Sequence, residues 1–588
     1  MRNKNRMNPT HGEKNTSCTR MRTQNAIAVL SAFIALLSIA ACSDQPAQNT
    51  PATPTFSEHI APIIFANCVP CHRPEGSGPF PFTSYDEVND HAGQIAEVTT
   101  SRFMPPWQPS PGYGHFVGER LLTDAQIDLI ARWVESGAPA GDPKHLPPLP
   151  EFSDEWQLGT PDLIVEMGEP YLLPAEGYDE FRNFVLPIPV AAQHYVEAVE
   201  FHADNAQVIH HAVMMFDRSG TARKHDAREE GPGFDGMVFG EAQGPDGHFL
   251  GWTPGKQPYR DPELAWRLVP GTDLVLQLHM LPSGRPEPLR ARIGFYFAAG
   301  PPKRTPALVR LGRKDIDIPA GEAQYPIRDT YQLPVDIEVT SIYPHAHYLG
   351  KSMAVYALLP DGKKEWLIRI DEWDFNWQDD YRYQKPVALP KGSTLVMEYV
   401  YDNSADNPFN PHDPPQRIFY GLQSSDEMAD LTLQVVPQNP RDLKTLQQHY
   451  ARKWIAQEIA GYETMLIADP DHAENHHTLA MCYLRTGRGR EALEHFNECL
   501  RLEPDYAEAR VNLGIALSAS RQFTAAIDHF RRALESKPTY SDAHFNLAMA
   551  LFQSGEKKEA EKHFAEAARL RPEMAAAIQR HVARLQSR

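Results

Sequence analysis

The long middle of the sequence lacks cysteine. Of the six cysteines, none falls between residues 73 and 481, so no disulfide can cross-link that stretch. Positive charge is also scarce, because 57 Lys and Arg stand against 76 Asp and Glu and leave a net charge of −19. A chain this acidic lacks the basic surface that a phosphate backbone attracts, which argues against nucleic acid as a partner.

Long hydrophobic runs are scarce as well. One apolar run covers Ala26–Ala41, and its 16 residues are few for a membrane span. Basic residues precede it and small residues lead into Cys42, so residues 1–42 resemble a bacterial lipoprotein signal with Cys42 as the site of lipidation. An uncleaved anchor and a plain secretory signal are the alternatives. Each interpretation predicts an extracytoplasmic, periplasm-facing protein of the bacterial cell envelope; in the first, a lipid anchor is its sole membrane attachment.

The length of 588 residues predicts several domains. Residues 43–54 form a polar, Pro-rich linker, and residues 55–150 end in an amphipathic helix that begins after Thr123 and ends before Gly137. From 155 to 437, short alternating runs are separated by Pro, Gly and Asp turns, as in a β-sandwich or jelly roll. That length suits two such domains, 155–300 and 301–437.

The last part of the chain, 440–588, has a repeat of 34 residues. Proline recurs at this spacing, at Pro470, Pro504, Pro538 and Pro572. Matching Leu, Ala and Phe positions recur with the same period. The period resembles the tetratricopeptide repeat, which predicts an α-helical solenoid of three repeats and a capping helix, with a degenerate first repeat near 440–468. Such arrays bind protein segments on a concave surface. A structural cap or a dimerisation arm is the alternative.

Individual side chains within the repeats have local interpretations. Cys482 and Cys499 occupy packed repeat positions and are expected to be buried small residues. The pair His476–His477 is interpreted as helix surface.

The motif Cys68-Val-Pro-Cys71-His72 is the attachment signature of a c-type haem. Two thioether bonds would hold the porphyrin and His72 would bind the iron. Chance alone would produce such a motif roughly 0.003 times in this chain. Residues 55–150 are therefore expected to be a small α-helical cytochrome c domain with one covalent haem. Met104 is the favoured sixth ligand, with His91 as the rival.

Two histidine pairs lie in the β-rich region. His345 and His347 are two residues apart, so on a strand their side chains point to one face and can reach one metal ion. His210 and His211 are adjacent and would converge only at a β-bulge or a strand end. A chain with 25 histidines contains roughly one pair of each kind by chance, so exposed or hydrogen-bonded histidines are the alternative for each pair alone.

The order of four motifs makes the pattern more specific. "IHHAVMMF", "LQLHM" with His279, "PHAHYLGK" and "SSDEM" with Met428 follow one another along the chain. This series resembles the copper type II, ascorbate-dependent monooxygenases, the family of peptidylglycine α-hydroxylating and dopamine β-monooxygenases, over about 155–437. The resemblance implies two copper ions on two β domains across a solvent cleft. It assigns His210, His211 and His279 to an electron-storing copper. It assigns His345, His347 and Met428 to the catalytic, oxygen-binding copper, where a thioether favours Cu(I).

The resemblance implies hydroxylation of a substrate C–H bond with O2. Tyr343 and Asp430 stand where the peptide-amidating members have Arg and Asn, so a small neutral or amine-bearing molecule is expected in place of a peptide. The haem domain would replace ascorbate as the source of electrons and would itself need an electron donor. Two other functions stay open: a non-enzymatic electron-transfer or copper-binding lipoprotein, and an assembly factor in which the β domains hold no metal.

Overall fold

The computed structural model describes residues 53–74, 76–151, 156–177, 179–237, 239–572 and 575–586. The predicted signal and Cys42 lie outside the described residues. From Thr55 onward the chain forms a single unit. Among the described residues, no helix has both the length and the apolar character needed to cross a membrane.

Short helices form the N-terminal region. A single π-helical turn, Phe56–Ile60, leads into α1, and the four helices are α1 Ala61–Asn67, α2 Tyr85–Asp90, α3 Ala92–Thr100 and α4 Asp124–Glu135. Helix α4 begins where the sequence predicted, because the Thr123 hydroxyl accepts a hydrogen bond from the Gln126 N–H and the Gln126 side chain accepts one from the Thr123 N–H. Gly137 follows the helix with φ of +84°, a conformation that glycine adopts without strain. Ile130 and Trp133 are buried in the core of this region.

The first β region contains eleven strands and one short helix, α5 Thr221–Asp226. The strands are β1 Leu163–Glu166, β2 Tyr171–Leu173, β3 Glu180–Pro187, β4 His194–Ala203, β5 Ile209–Asp217, β6 Phe234–Asp235, β7 Gly251–Trp252, β8 Trp266–Leu268, β9 Asp273–Met280, β10 Glu287–Leu289 and β11 Ala291–Phe297. Two antiparallel sheets have the orders β1-β11-β4-β8 and β6-β3-β9-β5-β7. Their inner side chains share one core, and every residue of β9 is buried at its centre.

The second β region contains ten strands, of which eight form two four-stranded sheets and the other two pair with each other. The strands are β12 Ala307–Gly312, β13 Asp317–Ile318, β14 Tyr325–Gln332, β15 Ile337–His345, β16 Gly350–Leu358, β17 Lys364–Ile370, β18 Tyr381–Leu389, β19 Thr394–Tyr401, β20 Ile418–Phe419 and β21 Asp430–Pro437. The sheet orders are β12-β21-β15-β18 and β14-β19-β16-β17. Side chains from both sheets again fill a single core. The prediction of a β-rich middle region is confirmed.

The C-terminal region is helical, as predicted. The helices are α6 Pro440–Ala468, α7 Ala473–Arg485, α8 Gly489–Leu502, α9 Ala507–Ala519, α10 Phe523–Ser536, α11 Ser541–Ser554, α12 Lys557–Leu570 and α13 Ala575–Gln586. Helix α6 is one continuous helix of 29 residues. Its Leu446 belongs to the core of the second β region, whereas its Ile459 belongs to the core of the repeats. This helix therefore joins the two regions through packed side chains.

The structure confirms the predicted burial of two side chains in the repeats and contradicts the predicted exposure of a third. Cys482 and Cys499 are buried, as expected. His476 is also buried, which contradicts its interpretation as helix surface. Its Nε2 donates to the Pro470 carbonyl at 3.0 Å and its Nδ1 lies 2.8 Å from Nδ1 of His495. His476 lies on α7 and faces α8, the second helix of the same repeat, so its side chain is enclosed between the two helices.

The N-terminal region is packed onto the second β region. Phe116 is only 2% exposed and belongs to the core of that β region. The Val117 N–H donates to the Arg382 carbonyl at 2.8 Å, and the Gln384 N–H donates to the His115 carbonyl at 2.9 Å. The segment around Phe116 thus extends the edge at β18. These contacts hold the CxxCH-bearing region in a defined place against the β regions.

Candidate metal centres

The first histidine cluster is formed by two neighbouring strands, β5 and β9. The pairing register of these strands shifts between Ile209 and His211, which is the β-bulge that adjacent histidines need in order to converge. His279 on β9 is the direct partner of His211 in the ladder. Strand pairing therefore brings together the three histidines that the sequence motifs singled out.

The ring nitrogens of this cluster point at one another. Nδ1 of His210 lies 3.1 Å from Nδ1 of His211 and 3.1 Å from Nδ1 of His279. Three imidazole nitrogens bound to one ion at about 2.0–2.1 Å would be about 3.3 Å apart, so the spacing suits a shared metal ion. Elsewhere in the described part of the chain, no other group of three His, Cys, Asp or Glu side chains converges in this way.

A carboxylate binds the ring nitrogen of His279 that faces away from the other histidines. Nε2 of His279 donates to Oδ2 of Asp179 at 3.1 Å, which leaves Nδ1 as the lone pair directed at the other histidines. This hydrogen bond lowers the pKa of Asp179. The His279 ring also stacks on Phe181 at 4.1 Å, so its orientation is held on its face as well as its edge. The sequence motifs did not indicate Asp179, which precedes β3.

Two histidines of this cluster, His210 and His211, are neutral near pH 7. Burial, together with the neighbouring imidazoles, lowers the pKa of His210 to about 4 and that of His211 well below its ordinary range. A neutral imidazole keeps a lone pair for a metal, whereas a protonated one does not.

The second pair lies at the end of β15. His345 is the last residue of the strand and His347 is in the turn that follows, so the prediction that one strand carries both is wrong. The chain turns there because the buried Glu427 carboxylate accepts hydrogen bonds from the backbone N–H groups of His347 and Leu349. The two imidazole rings are nevertheless close, with centroids 5.2 Å apart.

Both rings of this pair use the same nitrogen, Nδ1, for a hydrogen bond to the protein. Nδ1 of His345 donates to Oε1 of Gln378 at 2.6 Å, and Nδ1 of His347 donates to the Asp426 carbonyl at 3.2 Å. Each Nε2 is left as a lone pair for a metal. Burial lowers the pKa of His347 to about 3 and lowers that of His345 as well. Both rings are therefore neutral at physiological pH.

Met428 lies in the loop before β21, at the same end of the sheet. Asp430, two residues later, is the ladder partner of His345. The Met428 N–H donates to the Glu427 carboxylate at 3.2 Å. One buried carboxyl group thus ties the Met428 loop to the His347 turn. Burial raises the pKa of Glu427 to about 8, so the group is mostly protonated at pH 7. The motif "SSDEM" contains this residue, but nothing in the sequence indicated its role.

One aromatic ring separates the two clusters. The Phe375 ring centroid is 5.7 Å from that of His210 and 5.6 Å from that of His347. Phe375 is buried, with 5% of its surface exposed. The resemblance implied a solvent cleft between the clusters, whereas here a packed side chain lies between these histidines.

The CxxCH motif lines a cavity of about 1000 Å³. Cys68, Cys71, His72 and Met104 all contribute to its wall. Nδ1 of His72 donates to the Phe80 carbonyl at 3.0 Å, which leaves Nε2 as the lone pair. His91 does not line the cavity.

The rival ligand is held elsewhere. The ring of His91 stacks on that of Phe80 at 4.1 Å. Its Nδ1 donates to the Glu87 carbonyl at 2.9 Å, one helical turn earlier. Met104 is therefore better placed than His91 to reach a group bound in the cavity.

The walls of the cavity fit a porphyrin with carboxylate groups. Nη1 of Arg120 is buried in the wall and makes no hydrogen bond to the described residues, and a buried guanidinium nitrogen requires an acceptor. The first β region closes over the motif at Gly255, where a Cβ would lie 2.8 Å from Sγ of Cys71 and 2.6 Å from Nη1 of Arg120. Residues 377 and 379–382 of the second β region form another wall.

Comparison with known proteins identifies the helical end of the chain. Two tetratricopeptide repeat family models match, one at residues 471–539 and the other at 513–575, so the predicted repeats are confirmed. Proteins with such repeats use them to bind other proteins. No curated protein matches the chain.

Two solved structures similar to part of this chain bear the titles "Crystal structure of MamA" and "Crystal structure of MamA protein". The first is 26% identical, covers 23% of this chain and 76% of its own, and has a TM-score of 0.20. The second is 21% identical, covers 24% and 76%, and has the same TM-score of 0.20.

Proposed function

We propose that this protein is a copper-dependent monooxygenase that hydroxylates a C–H bond of a small organic substrate with O2. Electrons would reach it through a c-type haem attached to Cys68 and Cys71. The observation that carries the proposal is the convergence of three histidine Nδ1 atoms, one of whose rings is held by Asp179, near a second histidine pair whose Nδ1 atoms are both engaged in hydrogen bonds. Imidazole and thioether are ligands that suit copper.

The chain's own residues divide the work between the two centres. His210, His211 and His279 would hold one copper, and His345, His347 and Met428 the other. When bound, the copper ions supply one-electron chemistry and reactivity toward O2, and the haem supplies electrons one at a time. Hydrogen bonds to Asp179, Gln378 and the Asp426 carbonyl keep the rings of His279, His345 and His347 in the orientations and tautomers that ligation requires.

The same proposal assigns the three regions that precede the repeats. Residues 55–150 would be a cytochrome c domain, with His72 and Met104 as the axial ligands, because these residues line the cavity and His91 does not. Residues 155–300 and 301–437 would be two β-sandwich, jelly-roll copper domains. A lipid on Cys42 would hold the protein on the periplasmic side of a bacterial membrane, and the repeats would bind a protein partner.

The surroundings of His345 favour a neutral or amine-bearing substrate. Tyr343, which replaces an Arg of the peptide-amidating enzymes, donates its hydroxyl to Gln378 at 2.9 Å and stacks on Phe249 at 4.7 Å. Burial raises the pKa of Tyr343, so it stays an uncharged donor. Asp430 adds a buried carboxyl group near His345. Neither residue offers the positive charge that would bind a substrate carboxylate.

Metal content and oxygen uptake test the proposal. Full-length protein produced with c-type haem maturation is expected to contain two copper ions and one iron per chain, and Met428→Ala is expected to lose one copper. A panel of small amines and neutral compounds should contain one that stimulates O2 consumption and gains one oxygen atom. Iron without copper after reconstitution would contradict the proposal. Copper and haem without substrate-stimulated O2 uptake would instead support an electron-transfer or copper-binding lipoprotein.

A further inference from the structure

One short segment, residues 375–378, contacts the haem cavity and both histidine clusters. It consists of a single 3-10 turn, Phe375–Trp377, followed by Gln378. The Asp374 side chain caps the turn by accepting a hydrogen bond from the Asn376 N–H at 2.9 Å. The segment joins β17 to β18, so it belongs to the second β region.

The indole of Trp377 forms the cavity end of this segment. It is part of the cavity wall together with Met104 and the CxxCH residues. It also makes an edge-to-face contact with Phe103, with ring centroids 6.3 Å apart, and Phe103 is the neighbour of Met104. Trp377 therefore shares the cavity wall with Met104, the second side chain that would bind the haem iron, and contacts the residue before it.

The other end of the segment reaches the histidines. The Phe375 ring is tilted by only 28° from that of His210 and meets the ring of His347 edge to face, at 78°. Gln378 is 3% exposed and accepts the hydrogen bond from Nδ1 of His345. Two aromatic side chains and the two peptide bonds between their residues therefore span the interval from the cavity to His210.

The N-terminal region holds this segment in place. Nε2 of Gln108 donates to the Asp374 carbonyl at 3.0 Å, and the Asp374 N–H donates to Oε1 of Gln108 at 2.9 Å. On the other side, Nε1 of Trp373 donates to the His347 carbonyl at 3.2 Å. The two residues directly before the segment are thus hydrogen-bonded to the region that carries the CxxCH motif and to the turn that carries His347.

A second contact connects the region of the CxxCH motif with the first histidine cluster through other residues. Nε2 of Gln207, three residues before His210, lies 3.5 Å from the Gly76 carbonyl and 3.4 Å from the Gly78 carbonyl. Both distances are at the long limit for a hydrogen bond, so these contacts are weak. This course is the natural rival of residues 375–378.

We propose that residues 375–378 are the electron path between the haem cavity and the His210, His211 and His279 cluster. Trp377 and Phe375 are its two positioning residues. The inference rests on the proposed function, since it requires a haem in the cavity and copper at the histidines. Each transfer takes one electron from ferrous haem, which becomes ferric, and gives it to a cupric ion, which becomes cuprous. No bond is made or broken and no proton needs to move.

Light-triggered electron injection tests the path in the full-length protein loaded with haem and copper. A photoexcited flavin takes one electron from a sacrificial donor that does not chelate copper, and the resulting flavin semiquinone reduces the haem. Reoxidation of the haem is then followed by visible absorbance while the cupric EPR signal is lost. Trp377→Leu is expected to slow reoxidation by about tenfold or more, which is roughly 1.4 kcal/mol in activation free energy. Trp377→Phe, which keeps an aromatic ring, should restore part of the rate. Copper content, iron content and the haem spectrum should stay unchanged.

Two further variants make the result specific. Trp366→Leu is the matched control, because that indole packs on Tyr113 and Tyr356 and does not line the cavity. Gln207→Leu tests the rival course. An unchanged rate in Trp377→Leu, or slowing in Gln207→Leu alone, would overturn the proposal.

The outcome can be separated from failure of the proposed function. If the unaltered protein hydroxylates its substrate with a chemical reductant but shows no transfer from haem to copper, copper-dependent hydroxylation stands, and the path falls together with the haem's role as electron source. If the protein binds no copper, the function itself falls. Phe375→Leu provides a second test of the path, valid where its copper content matches that of the unaltered protein.

Discussion

The two histidine clusters are built in different ways. The first is formed within a sheet, where a bulge in β5 and its ladder with β9 set the positions of all three rings. The second is formed where two central strands of a sheet meet their loops, from the end of β15, a turn and a loop that Glu427 holds together. The first presents Nδ1 atoms and the second presents Nε2 atoms. A centre fixed by a ladder is expected to be rigid, whereas one fixed by a single carboxylate can be altered through that carboxylate.

The largest expected effect separates the clusters by copper content. His279→Ala should remove the copper of the first cluster and leave the other, and His347→Ala should do the reverse, because each removes one of three ligands. Elemental analysis combined with the cupric EPR spectrum measures both. His194→Ala is the control, since that ring packs on Phe297 outside both clusters. Loss of both coppers from either variant would show that the centres are not independent.

Glu427→Ala should damage the second cluster alone. It leaves the N–H groups of His347, Leu349 and Met428 without their acceptor, at roughly 1–3 kcal/mol for each one that stays buried. Chemical unfolding gives the loss of stability, and copper titration shows which centre weakens. Glu427→Gln keeps an acceptor oxygen and should have a smaller effect. Equal weakening of both centres would refute the distinction between ladder and loop.

Asp179→Asn should weaken the first cluster by changing a supporting residue. Loss of a carboxylate behind a metal-binding histidine usually lowers metal affinity about 10–100-fold. Competition with a copper chelator measures this change. Gln378→Leu is the counterpart for the second cluster, since it removes the acceptor of His345 Nδ1. Each variant should affect its own centre, and crossed effects would contradict the assignment of ring nitrogens.

Met104→Ala should leave the copper in both clusters and change their reduction. The haem spectrum is expected to lose the features of a thioether ligand, and copper reduction through the haem should slow. His91→Ala should leave the haem spectrum unchanged, because that ring lies against Phe80 and not in the cavity. A spectrum altered by His91→Ala alone would reverse the choice of sixth ligand.

The smallest effect is expected from removal of the repeats. A chain that ends at Ala468 keeps Leu446, which completes the core of the second β region. Copper and iron content should match those of the full chain, while binding to a protein partner is lost. A loss of metal from this shorter chain would show that the repeats support the centres.

Much of this architecture could be predicted where the signal is local or periodic. The 34-residue period identified the repeats, and the adjacent pair His210–His211 required the bulge that β5 contains. His476 was predicted to be exposed and is buried, and His347 was predicted to lie on the strand of His345 but lies beyond its end. Both depend on contacts with distant residues, His495 and Glu427, which no local pattern reveals.

The sequence by itself determined the repeat period, the β texture of the middle region and the chemical types of the candidate ligands, because these follow from residue identity and spacing. Only the tertiary structure decided that Asp179 supports His279, that Glu427 ties a turn to a loop, and that residues 375–378 lie between the cavity and the histidines. Asp179 and His279 are 100 residues apart, and such pairs meet only through strand register and region packing. Register and packing minimise the free energy of the whole chain, so no single motif contains them.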